Sequence, residues 1–562
     1  MSQPFFRIVG IVVFVLASVA GASETPDWSE GVSVTQARSN PYGLSDSEWA
    51  SERREGYLHA LEYPLDISGV VVPWRPTRDF LDDRSPNPIR HLFQDVFAGF
   101  TKIKNTDDLF SRAGLHPYPK SDEEGSRDIP HRGANDPQVR MGVTLFERNG
   151  VEAFTLSCAA CHSSNLFGKK ILGLTNRFPR ANEFFILGKQ AVRLVPPAVF
   201  STVLSADQSE TELYSRLRSR LKFVGAKKPA TLGLDTSLSQ VAISLSHRAK
   251  DVYASLDPTV ARAPRPERLK TFVADSKPAV WWNVKYKNRW LSDGSVVSGN
   301  PIYTNILWNE IGRGTDLREL EAWFAENPKV IEELTTAVFS TEAPRYTDFF
   351  SPERISISRA KRGEELYLKA CARCHGTYAK AWSLPEASRL PLVEQLKTTK
   401  VTYAEKTKVM NVGTDLQRAQ GMRSLEDGLN PLSISTRNQI VIKTQNGYVP
   451  PPLVGIWARY PYFHNNSAPN LCAVLTPGGD RPETYWAGEA LDRETDYDSE
   501  CAGYPTGDRV PKKWKTDSEY FYDTKKPGLG NSGHDEKIIL KDGVELLSAD
   551  DKRNLIEFLK TL

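Results

Sequence analysis

Methionine and histidine are scarce: 562 residues contain 4 Met and 9 His, alongside 6 Cys. Any site built from soft or imidazole donors must therefore draw on a short inventory. An excess of one charge sign is also lacking. Lys and Arg number 72 against 69 Asp and Glu, a formal net charge of +3. That balance gives no reason to expect a nucleic-acid or anionic-membrane partner. Beyond the N-terminus no segment approaches the length of a membrane-spanning helix, so no stable membrane insertion is expected and the mature chain should be soluble. No short-period repeat is present, which argues against a solenoid or array.

Against these absences stand two short strings, Cys158-Ala-Ala-Cys161-His162 and Cys371-Ala-Arg-Cys374-His375. Each is a C-x-x-C-H haem-attachment pattern. The two cysteines lie one helical turn apart, so both thiols can add to the vinyl groups of one haem. The adjacent histidine then reaches the iron. Alternatives are a pair of small disulfides, a C-x-x-C redox motif, or one four-cysteine zinc site. Zinc sites usually have closely spaced halves, whereas these halves lie about 210 residues apart. A redox motif of this kind usually follows a strand in a thioredoxin-like unit. The reading is two covalently bound haem c groups, with His162 and His375 as iron ligands.

The N-terminus reads as a secretory signal over residues 1–22. Arg7 gives a weak basic region, Ile8 to Val19 a short apolar run, and Ala20-Gly21-Ala22 a small-residue cleavage site before Ser23. The expected location is periplasmic or secreted. The cysteine count agrees. Four thioethers leave Cys472 and Cys501, which in an oxidising compartment most simply form a disulfide.

Residues 23–135 are rich in Pro, Gly and charge and read as an extension that wraps the rest. Residues 136–350 and 351–562 each hold one motif and read as two haem domains. Pro137 to Cys158 is expected to be a helix carrying Met141, Val143, Leu145 and Phe146, broken at Gly150. Ser358 to Cys371 is expected to be a helix with Gly363, Leu366 and Tyr367 on its path. At the C-terminus Ser548 caps a helix with Asp550 and Asp551 in its first turn and Leu555, Ile556, Phe558 and Leu559 at helical spacing. Phe558 should pack on the Gly363/Tyr367 face, and Asp316 to Phe324 should close the first domain in the same way. Long loops are expected at Thr377 to Asn446 and Pro477 to Asp535.

A second axial ligand decides what a haem does: filled, the iron relays electrons; open, it binds small molecules. Around the first motif candidates are few. His247 lies in an exposed-looking helical stretch, His131 follows a proline in a turn, and Met141 is expected to be core. Around the second stand His464, His534, Met410 and Met422, with His534 expected to face solvent.

The phrase GIWARYPYFHNNSAPNL, from Gly455 to Leu471, resembles the signature of bacterial dihaem cytochrome c peroxidases and their relatives. PAVWWNVKYKNRWLSDG, from Pro278 to Gly294, is similar to their segment between two haem domains. The resemblance runs from Pro137 to Leu562, and within that superfamily it is closest to the rubber oxygenase group. It implies a mainly α fold of two cytochrome c-like haem domains with long loops and an N-terminal extension. In the peroxidases a methionine beyond this motif ligates the second iron, but Ala468 to Asp480 contains none. In the rubber oxygenase group the motif's own histidine does so, which implies His464. The peroxidases close their resting first haem with a loop histidine, but Ser163 to Val195 contains none. The resemblance thus implies an open first haem and a bis-histidine second haem. Trp281 and Trp282 would relay electrons or wall a distal pocket, and Arg289 would stabilise a bound oxygen species. Implied partners are dioxygen or hydrogen peroxide, with a redox partner or a small apolar substrate. The rival expectations are a plain electron carrier, its first iron closed by His247 or a lysine, and a non-catalytic sensor.

Overall fold

Hydrophobic periodicity switches along this chain between helix and strand, and the fold follows it. The computed structural model describes residues 25–83, 87–120, 126–130 and 139–562. The expected signal sequence and His131 lie outside them. The described residues form helices with one three-stranded and five two-stranded sheets, so the mainly helical expectation becomes a mixed architecture. No helix among them is long and apolar enough to cross a membrane.

The largest departure lies before the first motif. In place of a helix, Val143–Arg148 and Val151–Leu156 form an antiparallel hairpin, with Val143 opposite Leu156 and Arg148 opposite Val151. Val72–Pro73 adds a third strand on the Val151–Leu156 side. Asn149 and Gly150 form the turn, with φ of 52° and 77°. A two-residue Asn-Gly loop with both residues left-handed is the connection that matches strand twist. Gly150 is therefore a hairpin turn rather than a helix break, and β-branched Val and Thr residues fill the pleated faces.

The second motif is delivered as expected. Ile357–Ala370 is a helix running directly into Cys371. The C-terminal helix Ala549–Leu559 carries a reciprocal Ser548/Asp551 capping box. The two helices cross at Gly363, where a Cβ would stand 2.0 Å from the Asn554 carbonyl oxygen. Tyr367 and Phe558 meet with ring centroids 5.1 Å apart.

The first half closes with a different pair. Asp316 does cap a helix, Leu317–Glu326, with Phe324 buried. The close crossing is instead between Asp46–Leu61 and Pro328–Ser340. A Cβ at Gly56 would stand 2.0 Å from the Glu333 carbonyl oxygen. His59 Nε2 lies 2.8 Å from the Glu333 carboxylate across the same crossing. The N-terminal extension thus supplies one member of the pair. Its Tyr57, Leu61 and Tyr63 share a core with Met141, Ala159 and Trp281. Trp74 and Phe110 share another with Phe154 and Leu156.

Cys472 and Cys501 are joined as a disulfide, while Cys158, Cys161, Cys371 and Cys374 remain free. The segment Pro278 to Gly294 stitches two cores together. Trp281 is buried in the core of the first half and Trp282 in the core around Tyr367 and Trp457.

Candidate haem sites

Both motifs fold into the same short turn. The His162 N–H donates to the Cys158 carbonyl at 3.1 Å, and the His375 N–H to the Cys371 carbonyl at 3.0 Å. In each, Nδ1 of the histidine meets a main-chain carbonyl: His162 with Ala279 at 3.0 Å, His375 with Pro451 at 2.8 Å. A carbonyl only accepts, so Nδ1 carries the proton and the Nε2 lone pair is left for a metal. Burial pushes His162 down to about 4 and also lowers His375, which keeps both rings neutral. Among the described residues no group of three or more His, Cys, Asp or Glu is arranged as a metal site.

The second motif opens onto a cavity. Cys371, Cys374 and His375 line it together with Met410, Tyr448, His464 and His534. The His464 ring stacks on Tyr448 with centroids 4.0 Å apart and planes 18° apart. Its Nε2 is buried and has no hydrogen-bond partner. Burial, reinforced by the Arg418 and Lys277 charges, holds its pKa at about 3, so the ring is neutral. An orphaned buried imidazole nitrogen costs free energy unless something binds it.

The loop carrying His464 is firmly held. Phe463 and Asn466 have φ of 62° and 65°, a sparsely populated region for such residues. Hydrogen bonds hold them there. Asn465 Nδ2 donates to the Gly530 carbonyl at 2.9 Å, Asn466 Nδ2 to that of Gly233 at 3.1 Å. Tyr485 and Tyr522 hydroxyls donate to the Asn466 and Asn465 carbonyls at 2.6 and 2.7 Å. The Asn-Asn pair thus fixes where the histidine points.

The cavity's charge is one-sided. Lys277, Lys287, Arg373 and Arg459 line it, with no Asp or Glu among the described residues. Burial pushes Lys287 down to about 8 and Arg459 down to about 10. Buried cations without a carboxylate demand an anion. An apolar pocket lined by two cysteines, three imidazoles and cations suits a haem with two propionates. Lys287 and Arg459 are the residues that would hold those carboxylates.

His534 differs from expectation. It lines this cavity, 6.5 Å from the His375 ring, rather than facing solvent. Met410 also lines the cavity, with its sulfur 3.5 Å from that of Cys374, while Met422 is core.

Trp281 lies 5.5 Å from the His162 ring, tilted by 41°, and stacks on Tyr57 on its far side. It therefore packs beside the proximal histidine. Trp282 points the other way, its Nε1 donating to the Val454 carbonyl at 2.9 Å. Arg289 is half-buried near Gly294 and is not part of the cavity lining around His375. Beside Cys158, Tyr63 donates to Glu310 at 2.8 Å, and Arg313 reaches both Glu310 and the Leu156 carbonyl. Met141 is core, as expected, and His247 Nδ1 meets the Lys222 carbonyl at 3.1 Å.

Two features escape a reading of the sequence. Arg459 stands inside the same phrase as His464, and its position there is the signal that marks it. His116 is buried with its Nε2 unpartnered, and burial pushes its pKa down to about 4. It sits close to Asn176, whose Nδ2 donates to the Ala160 carbonyl at 2.8 Å. No short-range pattern distinguishes it.

The residues that build the His464 wall also carry the family likeness. Residues 447–487 match the RoxA-like, cytochrome c-like family. This stretch is a cytochrome c-like domain, which implies haem c. Over longer reaches the chain is similar to two proteins of Sinorhizobium fredii (strain NBRC 101917 / NGR234). One is the uncharacterised protein y4iJ, 25% identical over 480 residues, covering 72% of this chain and 76% of that protein. The other is the uncharacterised protein y4iM, 25% identical over 270 residues, covering 42% of this chain and 56% of that protein.

Proposed function

We propose that the chain is an exported dihaem c-type oxidoreductase with two unlike haems. Cys158, Cys161 and His162 hold the first; Cys371, Cys374 and His375 hold the second. Haem c supplies iron redox chemistry, relaying electrons when both axial positions are filled and binding dioxygen or hydrogen peroxide when one is open. His464 closes the second iron. The single observation carrying this is the buried, unpartnered Nε2 of His464, a residue that lines the Cys371–His375 cavity. Lys287 and Arg459 neutralise the carboxylates there and thereby tune the potential.

At the first site Met141 is core, which favours an open iron. Trp281, against the His162 ring, is placed to pass electrons on the proximal side. Partners in this reading are dioxygen or peroxide and either a redox partner or a small apolar substrate. The second reading, an electron carrier with both irons closed, is favoured by one observation: the free Nε2 of buried His116.

Iron analysis and electron paramagnetic resonance of the purified protein test the proposal. Two irons per chain, one high-spin and one low-spin, are expected. One iron, or two low-spin irons, defeats it.

A further inference from the structure

The N-terminal extension brings a phenol into the interior beside the first attachment turn. Tyr63 follows the helix Asp46–Leu61 and is 2% exposed. Its hydroxyl donates to Oε1 of Glu310, on the helix Pro301–Gly312, at 2.8 Å. Glu310 is fully buried and accepts from two further side chains. Thr315 Oγ1 donates to Oε2 at 2.5 Å, and Arg313 Nη1 to Oε1 at 3.3 Å. The Thr315 hydroxyl in turn accepts from the Gly69 N–H at 2.7 Å, which ties the extension to this network a second time.

Arg313 links the network to the first motif. Its guanidinium lies 4.7 Å from the Tyr63 ring centroid, and its Nη2 donates at 2.9 Å to the carbonyl of Leu156, two residues before Cys158. Cys158 is within electrostatic reach of Tyr63, Glu310 and Arg313, and Cys161 of Arg313. Cys158 also packs against the core that Tyr63 and Ala159 share. A haem tethered at Cys158 and Cys161 therefore has this phenol as a near neighbour.

Stability does not explain a carboxylate at this place. Burying a charged pair costs about as much free energy as the pairing returns, and apolar side chains would fill the same space. What the carboxylate adds is a proton acceptor on the phenol. Burial, and then the Glu310 charge, hold the Tyr63 phenol well above its ordinary value, so it keeps its proton until it is oxidised. An oxidised phenol is a far stronger acid than a carboxylic acid. The Arg313 cation over the ring opposes a positive charge there, so electron and proton must leave together.

We propose that Tyr63 is a redox-active residue that gives an electron to the first haem while its proton passes to Glu310. The inference rests on the open first haem of the proposed function. Hydrogen peroxide is the oxidant. It is reduced to two waters by two solvent protons and two electrons, one drawn from iron and one from Tyr63. Tyr63 becomes a neutral phenoxyl radical and Glu310 a carboxylic acid. The reducing substrate or redox partner then returns an electron to Tyr63, and the proton returns from Glu310.

The test is electron paramagnetic resonance of the haem-loaded full-length protein, frozen milliseconds after mixing with hydrogen peroxide. A tyrosyl radical is expected, narrowed when the protein is made with ring-deuterated tyrosine. Tyr63→Phe and Glu310→Gln should each abolish it while leaving the haem content unchanged. One measurement needs no variant. After exchange into heavy water, electron–nuclear double resonance should find a deuteron hydrogen-bonded to the phenoxyl oxygen, the one now on Glu310. Absence of a tyrosyl radical overturns the proposal. So does its survival in either variant, or a phenoxyl oxygen without that deuteron. The optical spectrum of the same mixture separates the two readings. If peroxide alters the haem and no radical forms, this inference alone falls; if the haem is unchanged, the open-haem reading falls with it.

Discussion

The two C-x-x-C-H turns share their backbone geometry and little else. The first emerges from a β-hairpin, the second from a helix crossed by the C-terminal helix. Each motif histidine is oriented by one carbonyl. Around the second, four basic side chains and two imidazoles with an unpartnered nitrogen, His464 and His534, line a cavity. Around the first stand Trp281 and a buried Tyr63–Glu310–Arg313 network. An attachment motif therefore specifies how haem is tethered. What that haem can do is set by residues arriving from far along the chain.

The comparison is broken most severely by removing thiols. Cys371→Ala/Cys374→Ala should take iron from two to one per chain and leave only the high-spin signal; Cys158→Ala/Cys161→Ala should leave only the low-spin one. Metal analysis with spin-state quantitation reads both. Next in size, His464→Ala should turn the low-spin haem high-spin without changing iron content. An unchanged spectrum would make His464 structural.

Stability offers a parallel test on the two helix crossings. Gly363→Ala and Gly56→Ala each place a methyl group against a carbonyl oxygen 2.0 Å away. Each should cost about 2–4 kcal/mol in denaturant unfolding, because neither backbone can yield freely. Loss of the second haem's spectrum at lower denaturant should follow Gly363→Ala alone.

Smaller effects sharpen the electrostatic side. Arg459→Leu removes a cation from the second cavity and should lower only the second haem's midpoint potential, measured by spectroelectrochemistry. His116→Ala should change neither spin state. If it converts a low-spin haem to high-spin, the first iron is closed and the electron-carrier reading is correct.

What could be read in advance follows the range of the interactions. Local signals worked: the Ser548 cap, the Gly363–Phe558 crossing and the Cys472–Cys501 pair. The hairpin at Asn149-Gly150 was misread as helix because Met141, Val143, Leu145 and Phe146 also suit a helical face, although the turn residues and β-branched flanks favour strands. The first-half crossing was assigned one helix too early because its partner, Asp46–Leu61, lies in the extension. Lys287 and Arg459 meet only in three dimensions. Trp281 and Trp282 are adjacent in sequence yet serve different cores, which composition cannot reveal.

The asymmetry of the two sites is tested most directly by titrating the reduced protein with carbon monoxide while following the Soret band. The account predicts one carbon monoxide bound per chain, with the other haem remaining low-spin. Binding of none, or of two, would contradict it.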